Sequence, residues 1–218
     1  MNKIFNINLG GHPFTIDDDA YRVLDKYLST IKRHFSASEG CEDILTDIET
    51  RIAELFNEHL KGQPIVGLRE VEKVISIMGT PEEFGAAPED DDIAEKMHHK
   101  ESQKTKANFQ PGKRLFRDTD NQIIGGVASG IAAYLGIEDP LWVRLLFGLS
   151  LVFGFGGMLY IILWIIVPSA KTAGDKLSMK GERINVSNIA KIVEDEFNNL
   201  GETIVEMTKD FGSSKKKA

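Results

Sequence analysis

The feature that most constrains this chain is the stretch from Leu145 to Val167, 23 consecutive residues without a charge, closed by Pro168. As a single helix it would extend roughly 34 Å, against a bilayer hydrocarbon core of about 30 Å. A buried helix this apolar needs an enclosing core that the rest of the sequence does not supply. The run therefore predicts a membrane segment over about 142–167, with Trp142, Tyr160 and Trp164 as interfacial anchors. Its middle reads Gly154-Phe155-Gly156-Gly157. Each glycine costs about 1 kcal/mol relative to Ala in a helix interior, so two readings stand. The favoured one is a continuous or kinked span that packs on a partner helix through its small residues. The other is a re-entrant hairpin of two half-helices of roughly 18 Å, each too short to span.

The flanks pull in different directions on orientation. Lys171, Lys176, Lys180 and Arg183 follow the run and only Arg144 closely precedes it, which predicts a cytoplasmic C-terminal side. The start, Met1-Asn-Lys then Ile-Phe-Asn-Ile-Asn, alternates instead of forming a signal-peptide core, which predicts a cytoplasmic N-terminal domain. A hairpin satisfies both.

Upstream, Ile4, Phe5, Ile7, Leu9, Gly10-Gly11, Phe14 and Ile16 spell a β-hairpin with a two-residue turn. Asp17-Asp18-Asp19 caps the helix that follows, a better reading of three carboxylates than a magnesium site with no partner ligands. Apolar stripes predict helices through Leu24–Phe35, near Glu42–Leu60 and over Leu68–Met78. Gly79 is expected as a left-handed cap, and Thr80-Pro81-Glu82-Glu83-Phe84 as a new helical turn. Residues 86–112, with Pro-Glu-Asp-Asp-Asp and His98-His99, read as an acidic flexible linker. Beyond it, Asp118-Thr119-Asp120-Asn121 is turn chemistry. The small residues Gly126, Ser129, Gly130 and Ala133 suit a short, tightly packed helix ending at Gly136. Asp139-Pro140 starts the next one.

Downstream, Val186, Ile189, Val193, Phe197, Leu200, Ile204, Met207 and Phe211 recur every three or four residues, an amphipathic association helix. Its polar face is mostly acidic, so partner or self-association is favoured over an anionic membrane surface. The expected architecture is mainly α: a small α-rich N-terminal domain with a β-hairpin (1–85), a flexible linker (86–112), a membrane domain with a glycine-broken helix (113–169), and a juxtamembrane segment with the C-terminal amphipathic helix (170–218).

Composition removes whole classes of function. A single cysteine, Cys41, excludes a disulfide framework and a multi-cysteine zinc site. The net charge of −7 argues against direct nucleic-acid binding. Most of it lies in residues 1–112, with 13 Lys/Arg against 21 Asp/Glu. No nucleophile–base pair, metal cluster or phosphate cradle stands out; the glycines near 125 lack the Gly-Lys-Ser/Thr of a phosphate loop. His12, His34 and His59 are scattered. No catalytic residue, metal or cofactor is expected.

Four segments together carry a family resemblance: Arg114-Leu-Phe-Arg-Asp, the stretch Ile124–Ile137 beginning Ile-Gly-Gly-Val-Ala, Val143-Arg-Leu-Leu-Phe, and Tyr160-Ile-Ile-Leu-Trp-Ile-Ile-Val-Pro. Residues 113–169 resemble the phage shock protein C (PspC) domain. Less closely, residues 20–85 resemble the HAAS type of helical signalling domain, through Asp47-Ile-Glu-Thr-Arg-Ile and the ending Val74–Phe84. The resemblances imply a non-enzymatic regulator in the bacterial inner membrane. It would sense envelope stress and relay it to a cytoplasmic partner such as a PadR-type transcription factor. Packing at Gly125, Gly126, Gly130, Gly154, Gly156 and Gly157 is the expected switch. A homo-oligomeric scaffold that recruits partners without sensing is the alternative.

Overall fold

The computed structural model describes residues 3–60, 64–86, 112–152 and 154–214, with side chains to residue 201. The chain divides into two compact units, Met1–Ala107 with Asn185–Ala218, and Asn108–Ile184. The fold is mainly helical, with one two-stranded hairpin. The segment expected as one piece, 170–218, is thus shared. Its first part stays with the apolar run, and its long helix belongs to the unit formed by the N-terminal residues.

In the first unit, β1 (Ile4–Leu9) and β2 (His12–Asp17) pair antiparallel, with Leu9 opposite His12 across the Gly10-Gly11 turn. Three helices follow: α1 (Asp18–His34), α2 (Cys41–Leu60) and α3 (Leu68–Met78). Asp17 occupies the cap of α1 without a side-chain cap bond. Asp18 instead pairs with Arg22 at 2.9 Å, and both aspartates of the first turn face the positive end of the helix dipole. Val66 bonds on both sides of Ile16, accepting from Asp17 N at 3.1 Å and donating to Thr15 O at 2.8 Å, a one-residue third strand.

The core contains Ile16, Leu24, Ile31, Ile48, Ile52 and Phe56, with Phe14 edge-on to Phe56. Gly79 departs from the expected left-handed cap: its φ is +101° and its ψ 143°. The extended ψ turns its carbonyl to accept from the Tyr27 hydroxyl at 2.7 Å. Burial, and secondarily the Glu83 carboxylate, push the Tyr27 pKa far above its ordinary value. Thr80 N donates to the Glu83 carboxylate at 3.1 Å, closing the expected turn at Pro81–Gly85.

In the second unit come α4 (Val127–Leu135), α5 (Leu141–Val152), α6 (Gly156–Ile166) and α7 (Ala173–Lys180). The last helix, α8 (Val186–Ser214), returns to the first unit and packs on α2. Val186, Ile189 and Val193 are buried there, and the Phe197 ring lies so close over Gly40 that a β-carbon at Gly40 would overlap it.

The uncharged run is not one helix. No described helix is long and apolar enough to cross a membrane. The continuous span is therefore corrected to two helices of 12 and 11 residues, each under 20 Å by roughly 1.5 Å per residue. The break is physical. Gly154 takes φ +85°, and Gly156 sits against Ser150 and Leu151 of α5, where a β-carbon would overlap the Ser150 hydroxyl.

Candidate functional site

The second unit is organised around a strap, residues 114–126, laid across the base of the α5–α6 pair. Asp118 fixes its turn: the carboxylate accepts from Asp120 N at 3.0 Å, Asn121 N at 3.3 Å and Asn121 Nδ2 at 3.1 Å. Arg117 ties the strap to the segment leaving α6. Its backbone N–H donates to Pro168 O at 2.8 Å and its carbonyl accepts from Ala170 N at 3.0 Å. Its guanidinium reaches Val167 O at 2.9 Å and Gly125 O at 3.1 Å. Lys176 of α7 pairs with Asp120 at 2.8 Å.

The expected small-residue packing is directed at this strap. Gly126 and Gly130 lie under the carbonyls of Asp118 and Phe116, and a β-carbon at either would overlap that oxygen. Gly126 also takes φ +73°. Gly125 faces the Trp164 ring. On the far side of α4, Ala128 and Ala132 meet Val143, with Ile137, Phe147 and Tyr160 around them.

Contacts along the pair run Ser150 to Gly156, then Phe147 to Tyr160 with rings 5.1 Å apart, so α6 returns antiparallel to α5. That reversal revises the expected anchors. Trp142 opens α5 and Trp164 lies near the end of α6, so both belong to the base of the hairpin and not to opposite membrane faces. Tyr160 also has a strap partner, since its hydroxyl donates to Ile124 O. Arg144 is the fourth link, donating to Asn121 O at 2.7 Å.

The outer faces of the hairpin are apolar and uncovered within the described chain. Trp142 is 65% exposed, Leu146 67%, Val152 81%, Met158 71% and Ile165 76%. Soluble proteins rarely leave so contiguous an apolar patch open; such surfaces mark membrane or protein contacts. Between strap, α4, α5 and α6 lies a cleft of about 390 Å³, lined almost wholly by apolar and small residues.

The glycine sites, the hairpin and its aromatic base thus come together in one unit. The C-terminal stripe does not join them. Val186, Ile189 and Val193 are in the core of the other unit, Phe197 is half-buried there and Leu200 is 60% exposed. Ile204, Met207 and Phe211 lie on α8, outside the residues whose side chains are described. His98 and His99 lie outside the described residues altogether. Among the described residues no group of three His, Cys, Asp or Glu side chains is placed to hold a metal.

Sequence reasoning missed Arg117 and Asp118 of the strap and Arg144 of α5 as a working group. One signal was available: Arg144 is the single charge directly before the uncharged run, and a charge in that position needs either water or a partner.

No curated protein and no solved structure matches the chain. A family model does: residues 113–170 match the PspC domain. The match begins at the residue before Arg114 and ends at Ala170, so it takes in the strap, α4, the hairpin and the Arg117–Ser169 bridge. The chain therefore carries a PspC domain, the domain of phage shock protein C-like stress-response proteins and one typical of membrane-associated proteins.

Proposed function

We propose that this protein is a non-enzymatic stress regulator of the bacterial inner membrane, held in one leaflet by the α5–α6 hairpin. The observation that carries this reading is the packing of α8 on α2. Residues before the hairpin and residues after it build one core, so they lie on the same side of any membrane the hairpin enters. A single crossing would separate them; a re-entrant hairpin does not. The exposed apolar faces supply the membrane contact, and the aromatic residues at the hairpin base suit one interface.

In this reading, disturbance of the leaflet alters the seating of the hairpin against the strap. The strap holds the hairpin at Tyr160, Trp164 and Arg144 and, through Arg117, at Val167, and the chain leaves the unit through α7 and a short connection into α8. The relay then passes to the first unit, whose acidic surface recruits a cytoplasmic regulatory protein, with a PadR-type transcription factor as the class its HAAS-like character suggests. The exposed Leu200, beyond the part of α8 buried on α2, favours self-association as a second activity.

Side-specific thiol labelling in spheroplasts tests the topology. Native Cys41 is half-buried, so its reactivity is first measured after permeabilisation. Cys41, and separately Ser213→Cys in a Cys41→Ser background, should both be protected in intact spheroplasts and both react once permeabilised. Labelling at 213 with Cys41 protected would overturn the hairpin reading. For the sensing step, Gly156→Val should open the hairpin and misregulate a stress-response reporter at normal membrane levels of protein. Unchanged induction would remove the hairpin from the relay.

A further inference from the structure

The cleft between the strap and the hairpin has a polarity of its own. Its floor is small and apolar: Ala128 from α4, Gly148 and Leu151 from α5, Gly157 and Ile161 from α6. Two polar groups on the wall are already engaged, Ser129 Oγ with Gly126 O at 3.2 Å and the Tyr160 hydroxyl with Ile124 O. Arg144 is the only charged residue in the lining. Of its five N–H donors, one described bond uses one, to Asn121 O. No carboxylate among the described residues pairs with it. The site is therefore an apolar slot with one cation at its edge, within the usual size of small-molecule sites of roughly 300–1,000 Å³. It opens on a hairpin whose outer faces are themselves apolar.

We propose that this cleft seats one acyl chain of an anionic phospholipid, with the phosphate held by Arg144. The chain would bury its methylenes along Gly148, Leu151 and Gly157, where the missing side chains leave the room. The guanidinium, held in place by Asn121 O, presents its free edge for a charge-assisted bond to phosphate. The occupant is complementary in both parts: apolar where the slot is apolar, negative where it is positive. The inference rests on the leaflet-embedded reading, which supplies the phospholipid. It goes further in assigning one lipid a fixed place under the strap.

The test uses the full-length protein in vesicles doped with a phospholipid bearing a diazirine on its acyl chain. Flotation is measured first, then labelled peptides are mapped by mass spectrometry. With the probe as phosphatidylglycerol in a phosphatidylcholine background, labels should concentrate in the cleft segments 148–151 and 157–161. The same probe as diacylglycerol, which lacks the phosphate, should label them roughly tenfold less, the scale of one charge-assisted bond. Arg144→Gln should abolish that preference.

Gly148→Leu should remove cleft labelling while leaving flotation unchanged. A β-carbon at Gly148 meets nothing within 4 Å, and Leu is the better helix former, so the variant folds. Flotation with labels spread evenly onto Ile165 and Ile166 would overturn the lipid site and leave the anchor standing. Failure to float would overturn both. Cleft labelling by free diazirine-palmitate equal to that by phosphatidylglycerol would overturn the phospholipid as occupant.

Discussion

In the first unit Ile48, Ile52 and Phe56 of α2 are fully enclosed, whereas in the second Leu146, Val152 and Ile165, equally apolar, face outward. The difference lies in what each unit has available to cover its apolar faces. The first unit has a β-hairpin, three helices and the first half of α8 around one centre. The second has α4, α7 and a strap, and of these α4 and the strap cover the base of the hairpin. Its interior holds Ala128, Ala132 and Val143 at the hairpin base, with Leu177 and Met179 of α7 also buried, and a polar clasp adds cohesion: Arg117, Asp118 and Arg144 bonded to backbone and amide groups. One unit is held from within by burial. The other is clasped at its rim and leaves the outer apolar faces of its hairpin exposed.

The comparison breaks most sharply in the first core. Phe56→Ala should cost about 3–5 kcal/mol, the usual loss for a buried aromatic. Pulse proteolysis should show the first unit opening and the 113–184 fragment still resistant; joint unfolding would refute the independence of the two units. Almost as large is Gly130→Val in the second unit, where a β-carbon meets the Phe116 carbonyl and backbone has to move, at a cost of roughly 3 kcal/mol. The expected mirror image is a resistant first unit and a released strap.

Next comes the outward face. Ile165→Ser should weaken vesicle flotation about tenfold, the scale of losing one buried aliphatic side chain. Its unfolding in detergent should shift by less than about 0.5 kcal/mol. Equal losses in both assays would mean that Ile165 serves a protein core.

An effect of similar size sharpens the description of the first unit. Tyr27→Phe leaves the Gly79 carbonyl unpaired and should cost about 1–2 kcal/mol. The raised pKa of Tyr27 means that the folded state favours the protonated phenol. That stability is fully present below the ordinary tyrosine value of about 10 and falls as pH rises above it. Chemical denaturation at pH 8 and pH 11 should show that loss in the parent chain and less of it in Tyr27→Phe.

Local chemistry was legible in the sequence. Leu68–Met78 could be read to the residue because its stripe, its glycines and the following Pro81 all agree, and the Gly10-Gly11 turn set the register of β1 and β2. The hairpin reading of 145–167 was present but disfavoured. Hydropathy sums along the chain, while the decision rests on Gly156 fitting under Ser150, which is a contact across the turn. The α8 stripe announced that Val186, Ile189 and Val193 would be covered, but periodicity names no partner, and the partner is α2, more than a hundred residues earlier. Arg117 was equally opaque. Its value lies in two backbone carbonyls, Gly125 and Val167, and carbonyls leave no mark in a sequence.

That α8 completes a core begun by α2 also has a consequence for biosynthesis. About 125 residues separate Leu60 from Val186, so at ribosomal speeds the face of α2 waits on the order of ten seconds for its cover. The hairpin is made within that interval. The order of synthesis thus completes the apolar hairpin before the split N-terminal core closes, and a nascent chain stalled ahead of Val186 would expose two apolar surfaces to chaperones instead of one.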